Sequence, residues 1–231
     1  MAISQKVKGF LEKASWIRKM FEQGAAMKKK YGDENVFDFS LGNPNLEPPE
    51  LFFTALEKVV AGRTPKRHAY MPNAGYPETR QALARQISKE QGAALSADHV
   101  VMACGAGGGL NVVFKTILDP GDEVIVPAPY FVEYNFYIVN HGGVLKTVQT
   151  DETFCLSMDA IEKAISARTK AVLINSPNNP TGRLYGEKTI QALGELLDHA
   201  SAKQGRPVYL ISDEPYRNIV YDGLTVPGVM Q

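Results

Sequence analysis

The sequence predicts an α/β fold of three layers, a mostly parallel sheet with helices on both faces, preceded by an N-terminal helical segment. Two observations carry this. From His99 onward, strand-like and helix-like stretches alternate with short turns between them. Several of the strand-like stretches, such as "EVIVPAP" and "VYLIS", are continuous apolar runs, as expected of strands buried on both faces.

Taken in order, residues 4 to 30 read as a helix. Val7, Phe10, Leu11, Ala14, Ile17 and Phe21 recur at spacings of three and four and make one apolar stripe. The "KKK" at 28 to 30 suits a helix C-terminus, where cations are favoured. "FDFSLGNPNLEPPE" (37 to 50) reads as a short strand entering a Gly-Pro-Asn loop, the best boundary in the chain. We therefore expect a segment of a small domain over 1–48 and a large domain over 49–231. A helix is expected from about Glu50 to Val60 and another from Pro77, a good first-turn residue. Beyond it come the strand "HVVMAC", the helix "GGLNVVFKTIL" and the strand "EVIVPAP". A helix around "YFVEYNFYIVNH" ends at Gly142 and leads to the strand "VLKTVQT". Asp159 with Glu162 suggests a capped start for "AIEKAIS". The strand "KAVLINSP", a long helix bearing Ile190, Leu193, Leu197 and Ala200, and the strand "VYLIS" complete the alternation.

Composition narrows the function. Twenty-five Lys and Arg balance twenty-five Asp and Glu, so no basic surplus points to nucleic acid. Cys104 and Cys155 have no metal-like or redox spacing and read as reduced thiols of a cytoplasmic protein. His68, His99, His141 and His199 stand singly, and no metal site is expected. Neither a secretory signal nor a membrane-spanning run is visible.

In a parallel sheet, ligands bind outside the carboxyl ends of the strands. That rule selects "CGAGGG", "PAPYF", "NSPNNPTG" and "SDEPY", the least generic stretches of the chain. "CGAGGGLNVV" puts glycines between a strand and a helix, which allows either a phosphate cradle of backbone N–H groups or close helix–strand packing. It is not a dinucleotide fingerprint, because Leu110 stands where the third glycine belongs, and no Gly-Lys-Ser/Thr P-loop is present. Tyr130 or Phe131 could offer a flat face to a ring or pack into the core. "NSPNNPTG" concentrates amides and prolines at a strand end. Asp213 in "SDEPY" is a charge at the mouth of an apolar strand, costly unless a partner meets it. Together these features describe a pocket for a phosphorylated heteroaromatic ring. Pyridoxal 5'-phosphate fits, since its ring nitrogen commonly meets an Asp.

As a set, "LGNPN", Tyr70-x4-Gly75-x4-Arg80, "GAGGGL", "PAPYF", "NNPTG" and "DEPY" resemble the class I/II aminotransferases of pyridoxal-phosphate fold type I, from about Phe37 onward. The resemblance implies that residues 49–231 form most of the cofactor-binding domain. It implies that Gly105, Ala106 and Gly107 hold the cofactor phosphate and that Phe131 stacks on the ring. Asn179 and Tyr216 would hydrogen-bond the ring's phenolic oxygen, and Asp213 would pair with its nitrogen. Tyr70 would reach the phosphate in the neighbouring subunit of a homodimer, and Gly42 would line the substrate carboxylate pocket. The expected substrates are an amino acid and a 2-oxo acid.

The resemblance also implies a Schiff-base lysine a few dozen residues after "DEPY", beyond Gln231, and Lys115, Lys170 and Lys188 are poor substitutes. The expectation is thus an N-terminal portion of an aminotransferase, inactive by itself. Two alternatives stay open: another fold-type-I chemistry such as β-elimination, and a non-catalytic remnant that only binds the phosphorylated ligand.

Overall fold

A computed structural model of the chain describes residues 2–39, 42, 46–63, 65 and 67–230, without the side chains of 11–19 and 21. The chain divides into two units, Met1–Ala69 and Tyr70–Gln231. The helix after Glu50, expected in the large domain, falls in the first unit.

In the first unit, α1 (Gln5–Tyr31) starts at Ser4, whose hydroxyl accepts a hydrogen bond from the Val7 N–H at 3.2 Å. It ends on Lys28, Lys29 and Lys30, and Lys28 pairs with Asp38 at 3.4 Å. Of the expected stripe, Leu11, Ala14, Ile17 and Phe21 lie outside the described side chains. The strand expected at Phe37–Phe39 is absent: the segment joins no ladder, and Phe37 and Phe39 are exposed. A strand needs a neighbour for its N–H and C=O groups, and none is present among the described residues. The helix α2 (Glu50–Ala61) has the expected bounds to within a residue.

The second unit is built on four parallel strands, β1 (Glu123–Ala128), β2 (Val144–Gln149), β3 (Thr169–Asn175) and β4 (Tyr209–Asp213), in the order β2-β1-β3-β4. Alternate residues of a strand face opposite sides, and the core divides accordingly. Val124, Val126, Ala171 and Leu173 pack with Leu110, Phe114 and Ile138 on one face. Ile125, Val172 and Ile174 pack with Ile161, Ile190, Leu193 and Leu197 on the other. The helices α4 (Gly105–Ile117), α5 (Tyr134–Val139), α6 (Met158–Ala164) and α7 (Glu187–Gln204) supply the outer layers, and α3 (Pro77–Gln91) precedes them in the chain. In α7, Ile190, Leu193 and Leu197 recur at helical spacing, and burying each contributes about 2 kcal/mol.

In the second unit, two elements differ from expectation. "HVVMAC" is not a strand. Its backbone is claimed by the preceding loop and by an arginine instead of a ladder: Met102 N–H donates to Ala74 O at 2.9 Å, and Arg80 donates to Val100 O and Ala97 O at 2.7 and 2.6 Å. Helix α6 is capped by Ser157, which accepts from Ala160 N–H at 3.3 Å, not by Asp159, which sits inside the first turn. A hydroxyl one residue before the helix reaches the orphan N–H groups, whereas a side chain within the turn does not.

The sheet opens where a ligand needs space. The strand order reverses between β1 and β3, which makes that gap the topological switch point. Pairing of β1 with β3 stops at Ile125 and Val172, although both strands continue for three more residues. Pro127 lies in this unpaired stretch and has no N–H to leave unsatisfied.

Candidate functional site

Strands β3 and β4 each end on a polar residue, and their register sets Asn175 against Asp213. Both are buried, with Asp213 only 9% exposed. The Asn175 amide donates to the backbone carbonyl of Asp213 at 2.7 Å, and its side-chain oxygen accepts from the N–H of Asn179 at 2.6 Å. One amide thereby ties the end of β4 to the loop that follows β3. Within that loop, Asn178 accepts from Thr181 and from Gly182, closing a tight turn that carries Asn179 toward Tyr216. The Asn179 amide donates to the Tyr216 hydroxyl at 3.1 Å.

The Asp213 carboxylate accepts a hydrogen bond of 2.6 Å from the hydroxyl of Tyr134. No hydrogen bond from a described residue reaches its other oxygen. Burial pushes the Asp213 carboxyl above its ordinary value; the Tyr134 hydrogen bond opposes the shift, and the neighbouring Glu214 charge adds to it. Burial and Asp213 push the Tyr134 phenol far upward, so Tyr134 is a donor at any physiological pH. Burial first, then Glu133 and Asp213, also raise Tyr137.

These residues line a small cleft of about 90 Å3, formed by Ala106, Gly107 and Leu110 of α4, Phe131 and the α5 residues Tyr134 and Tyr137, Asn175 and Asn179, and Asp213, Pro215 and Tyr216. Helix α4 opens at the cleft on Gly105, whose φ of +70° suits a residue without Cβ. Gly105 N–H donates to Ala103 O at 3.1 Å, while Ala106 and Gly107 are first-turn donors without intrahelical acceptors. A Cβ on Gly107 would lie 2.8 Å from the Tyr137 hydroxyl, so this wall of the cleft admits no larger residue without moving Tyr137.

Of the residues expected at a site, Ala106, Gly107, Phe131, Asn179, Asp213 and Tyr216 converge on the cleft. Gly105 stands at its edge as the first residue of α4. Tyr70 is fully exposed and does not line the cleft, and Gly42 belongs to the other unit, where a Cβ would meet nothing within 4 Å. Sequence reasoning missed Leu110, Tyr134, Tyr137, Asn175 and Pro215. Asn175 carried a usable signal, a lone amide closing an apolar strand just as Asp213 does. Tyr134 carried none, because its partner is 79 residues away. Among the described residues, no lysine lines the cleft, and no cluster of three or more His, Cys, Asp or Glu side chains could hold a metal. No described helix is long and apolar enough to cross a membrane.

A parallel sheet with a cleft at the carboxyl ends of its strands, bordered by a glycine-bearing helix N-terminus and a buried carboxylate, defines an α/β protein with a candidate ligand site. Residues 34–231 match the family Aminotransferase class I and II, and the chain belongs to that family. It is 38% identical, over 79% of its length, to an aspartate/prephenate aminotransferase of Thermus thermophilus, of which it covers 46%. Its structure is similar to that of an aminotransferase from Eubacterium rectale, with a TM-score of 0.93 and 39% identity, covering 100% of this chain and 58% of that one. An alanine aminotransferase from Pyrococcus furiosus is similar at a TM-score of 0.82 and 30% identity, covering 99% of this chain and 56% of that one. The chain thus spans about half the length of the relatives it matches.

Proposed function

We propose that this chain carries the cofactor-binding part of a pyridoxal-phosphate-dependent aminotransferase, which moves an amino group from an amino acid to a 2-oxo acid. One observation carries the reading: a nearly buried carboxylate, Asp213, has one oxygen without a hydrogen-bond partner among the described residues and lines the same cleft as a glycine-bearing helix N-terminus. An anion at one end and a cationic nitrogen at the other are what the phosphorylated pyridine of pyridoxal phosphate presents.

The residues fit that group. The N–H groups of Ala106 and Gly107, at the positive end of α4, would hold the phosphate, with Gly105 making the turn. Phe131 would cover one face of the ring, and Asn179 and Tyr216, already 3.1 Å apart, would share its phenolic oxygen. Asp213 would keep the ring nitrogen protonated. Bound there, the cofactor supplies an electron-withdrawing ring that stabilises negative charge at the carbon bearing the substrate's amino group. The chain's own part is to orient that ring, to hold one proton at its nitrogen and to fix the hydrogen bond at its oxygen. Tyr70, exposed on its own subunit, would complete the phosphate site of a partner copy, and Gly42 would line the substrate carboxylate pocket. The full protein would work as a homodimer in the cytoplasm. Amino transfer is favoured over β-elimination because all three relatives are named aminotransferases, but the two whose names give a substrate differ in it, so the amino acid stays open.

Titration of the purified chain with pyridoxal phosphate, followed by absorbance and by quenching of tyrosine and tryptophan fluorescence, tests the reading. Saturable binding is expected, weakened about tenfold or more by Gly107→Ala, which displaces Tyr137 at the phosphate end, and by Asp213→Asn at the nitrogen end. Wild-type chain that shows no saturable binding, or variants that bind as well as wild type, would sink the assignment.

A further inference from the structure

We propose that Tyr134 is a positioning residue that holds Asp213 as a carboxylate with one oxygen committed and the other offered to the cleft, so that the site selects a ring bearing a protonated nitrogen. This rests on the cofactor reading above and goes beyond it by naming what keeps the nitrogen partner in its working state.

The physical problem is the state of a nearly buried acid. Burial favours its neutral form, and a neutral carboxylic acid would present a proton to a ring nitrogen instead of accepting one. No cation among the described residues hydrogen-bonds Asp213, and the charge that acts on it, Glu214, is of the same sign and engaged by Arg217 at 2.9 Å. The Tyr134 hydroxyl, at 2.6 Å, is thus the one described donor to the carboxylate. An O–H donated to an anion is among the stronger hydrogen bonds, and it favours the charged form.

Tyr134 is also placed rigidly enough to position. It is 1% exposed, its ring meets Phe131 edge-on at 5.6 Å, and Tyr130 stacks at 6.5 Å. Its backbone N–H donates to Phe131 O at 3.1 Å, at the start of α5. From the opposite side, Asn175 pins the backbone of Asp213, so the carboxylate has a fixed approach to the phenol. The other titratable groups facing this pair are Tyr216 and Tyr137 beside Tyr134, with Glu133 behind Tyr137.

The test compares the full wild-type chain with Tyr134→Phe, which keeps the buried ring and removes only the hydroxyl. Two probes are titrated: pyridoxal phosphate and its carbocyclic analogue with CH in place of the ring nitrogen. In parallel, the Asp213 carboxyl is followed by 13C NMR against pH without ligand. Wild type is expected to prefer the nitrogen-bearing ring by about tenfold, and Tyr134→Phe to bind the two alike, since the phosphate end is untouched. The ligand-free midpoint of Asp213 should move upward in the variant. A preference retained in Tyr134→Phe, or an unmoved midpoint, overturns the proposal; a purely structural role would weaken both probes equally. Wild type that binds neither ring overturns the cofactor reading, and then the midpoint alone decides Tyr134: moved upward it stands, unmoved it falls.

Discussion

Asp213 and Glu123 are both partly buried carboxylates of the same sheet, and their surroundings push them in opposite directions. Desolvation works against the ionised form of Glu123, but hydrogen bonds from Ser166, Lys146 and Thr169, with the charge of Lys146, outweigh it and hold its carboxyl below the ordinary value. Asp213 lies above its ordinary 3.8. The consequences for stability have opposite signs. Glu123 contributes stability above its ordinary 4.5 that is lost as pH falls through the lowered value. Asp213 binds its proton more tightly folded than unfolded, so stability falls as pH rises from 3.8 through the raised value and stays lower above it. Asparagine at 213 can still accept the Tyr134 hydrogen bond without carrying charge. We therefore expect Asp213→Asn to match or exceed wild type in urea midpoint at neutral pH and to lose that advantage below 3.8, even as it weakens cofactor binding. A variant less stable than wild type at neutral pH would mean that the charge is compensated within the protein. The site thus exchanges some stability for a charge that a ligand can use.

Among the elements, the turn that carries Tyr216 is held from behind. Arg217 donates to Glu214 at 2.9 Å, to Glu90 O at the end of α3 at 2.7 Å, and to Val226 O and Pro227 O in the last segment of the chain. Gln91 completes the clasp by donating to Glu214 and accepting from Val229 N–H, both within 3.0 Å. Residues 214 to 229 have no helix or strand of their own, so this clasp stands in for a ladder. Arg217→Ala should cost about 2–4 kcal/mol in chemical denaturation. It should also raise amide exchange across 214–229 before the sheet opens, and uniform exchange through β3 and β4 would contradict that. A similar arrangement explains the missing strand. "HVVMAC" has the apolar, β-branched composition of one, but Arg80 and Ala74 claim its backbone groups, and propensity yields to whatever satisfies them. The other strands and the helices α2, α3, α4 and α7 were legible because periodicity and apolar runs depend on near neighbours. The cap of α6 was misplaced because Ser157, Asp159 and Glu162 offer competing signals within six residues.

Over the molecule as a whole, many large apolar side chains are left in water. Leu51, Val59 and Val60 on α2 are 77%, 62% and 70% exposed, and Phe37 and Phe39 are 83% and 93% exposed. Patches of this kind in a soluble chain mark surfaces that bury themselves against another protein surface. The chain should therefore associate with itself. Sedimentation at rising concentration is expected to show species heavier than one chain, reduced by Val59→Glu with Val60→Glu. A single-chain mass at every concentration would refute this.

By itself, the sequence determined the alternation of strands and helices, the glycine turn before α4 and the polar residues closing β3 and β4. These are local patterns, readable from residues a few positions apart. Only the tertiary structure decided that β1 and β3 become neighbours and then stop pairing, which opens the cleft, and that Asn175 stands beside Asp213. It also decided that a phenol 79 residues earlier in the chain meets the carboxylate. Such contacts follow from how whole elements pack, and a sequence pattern carries no direct mark of a partner that far away.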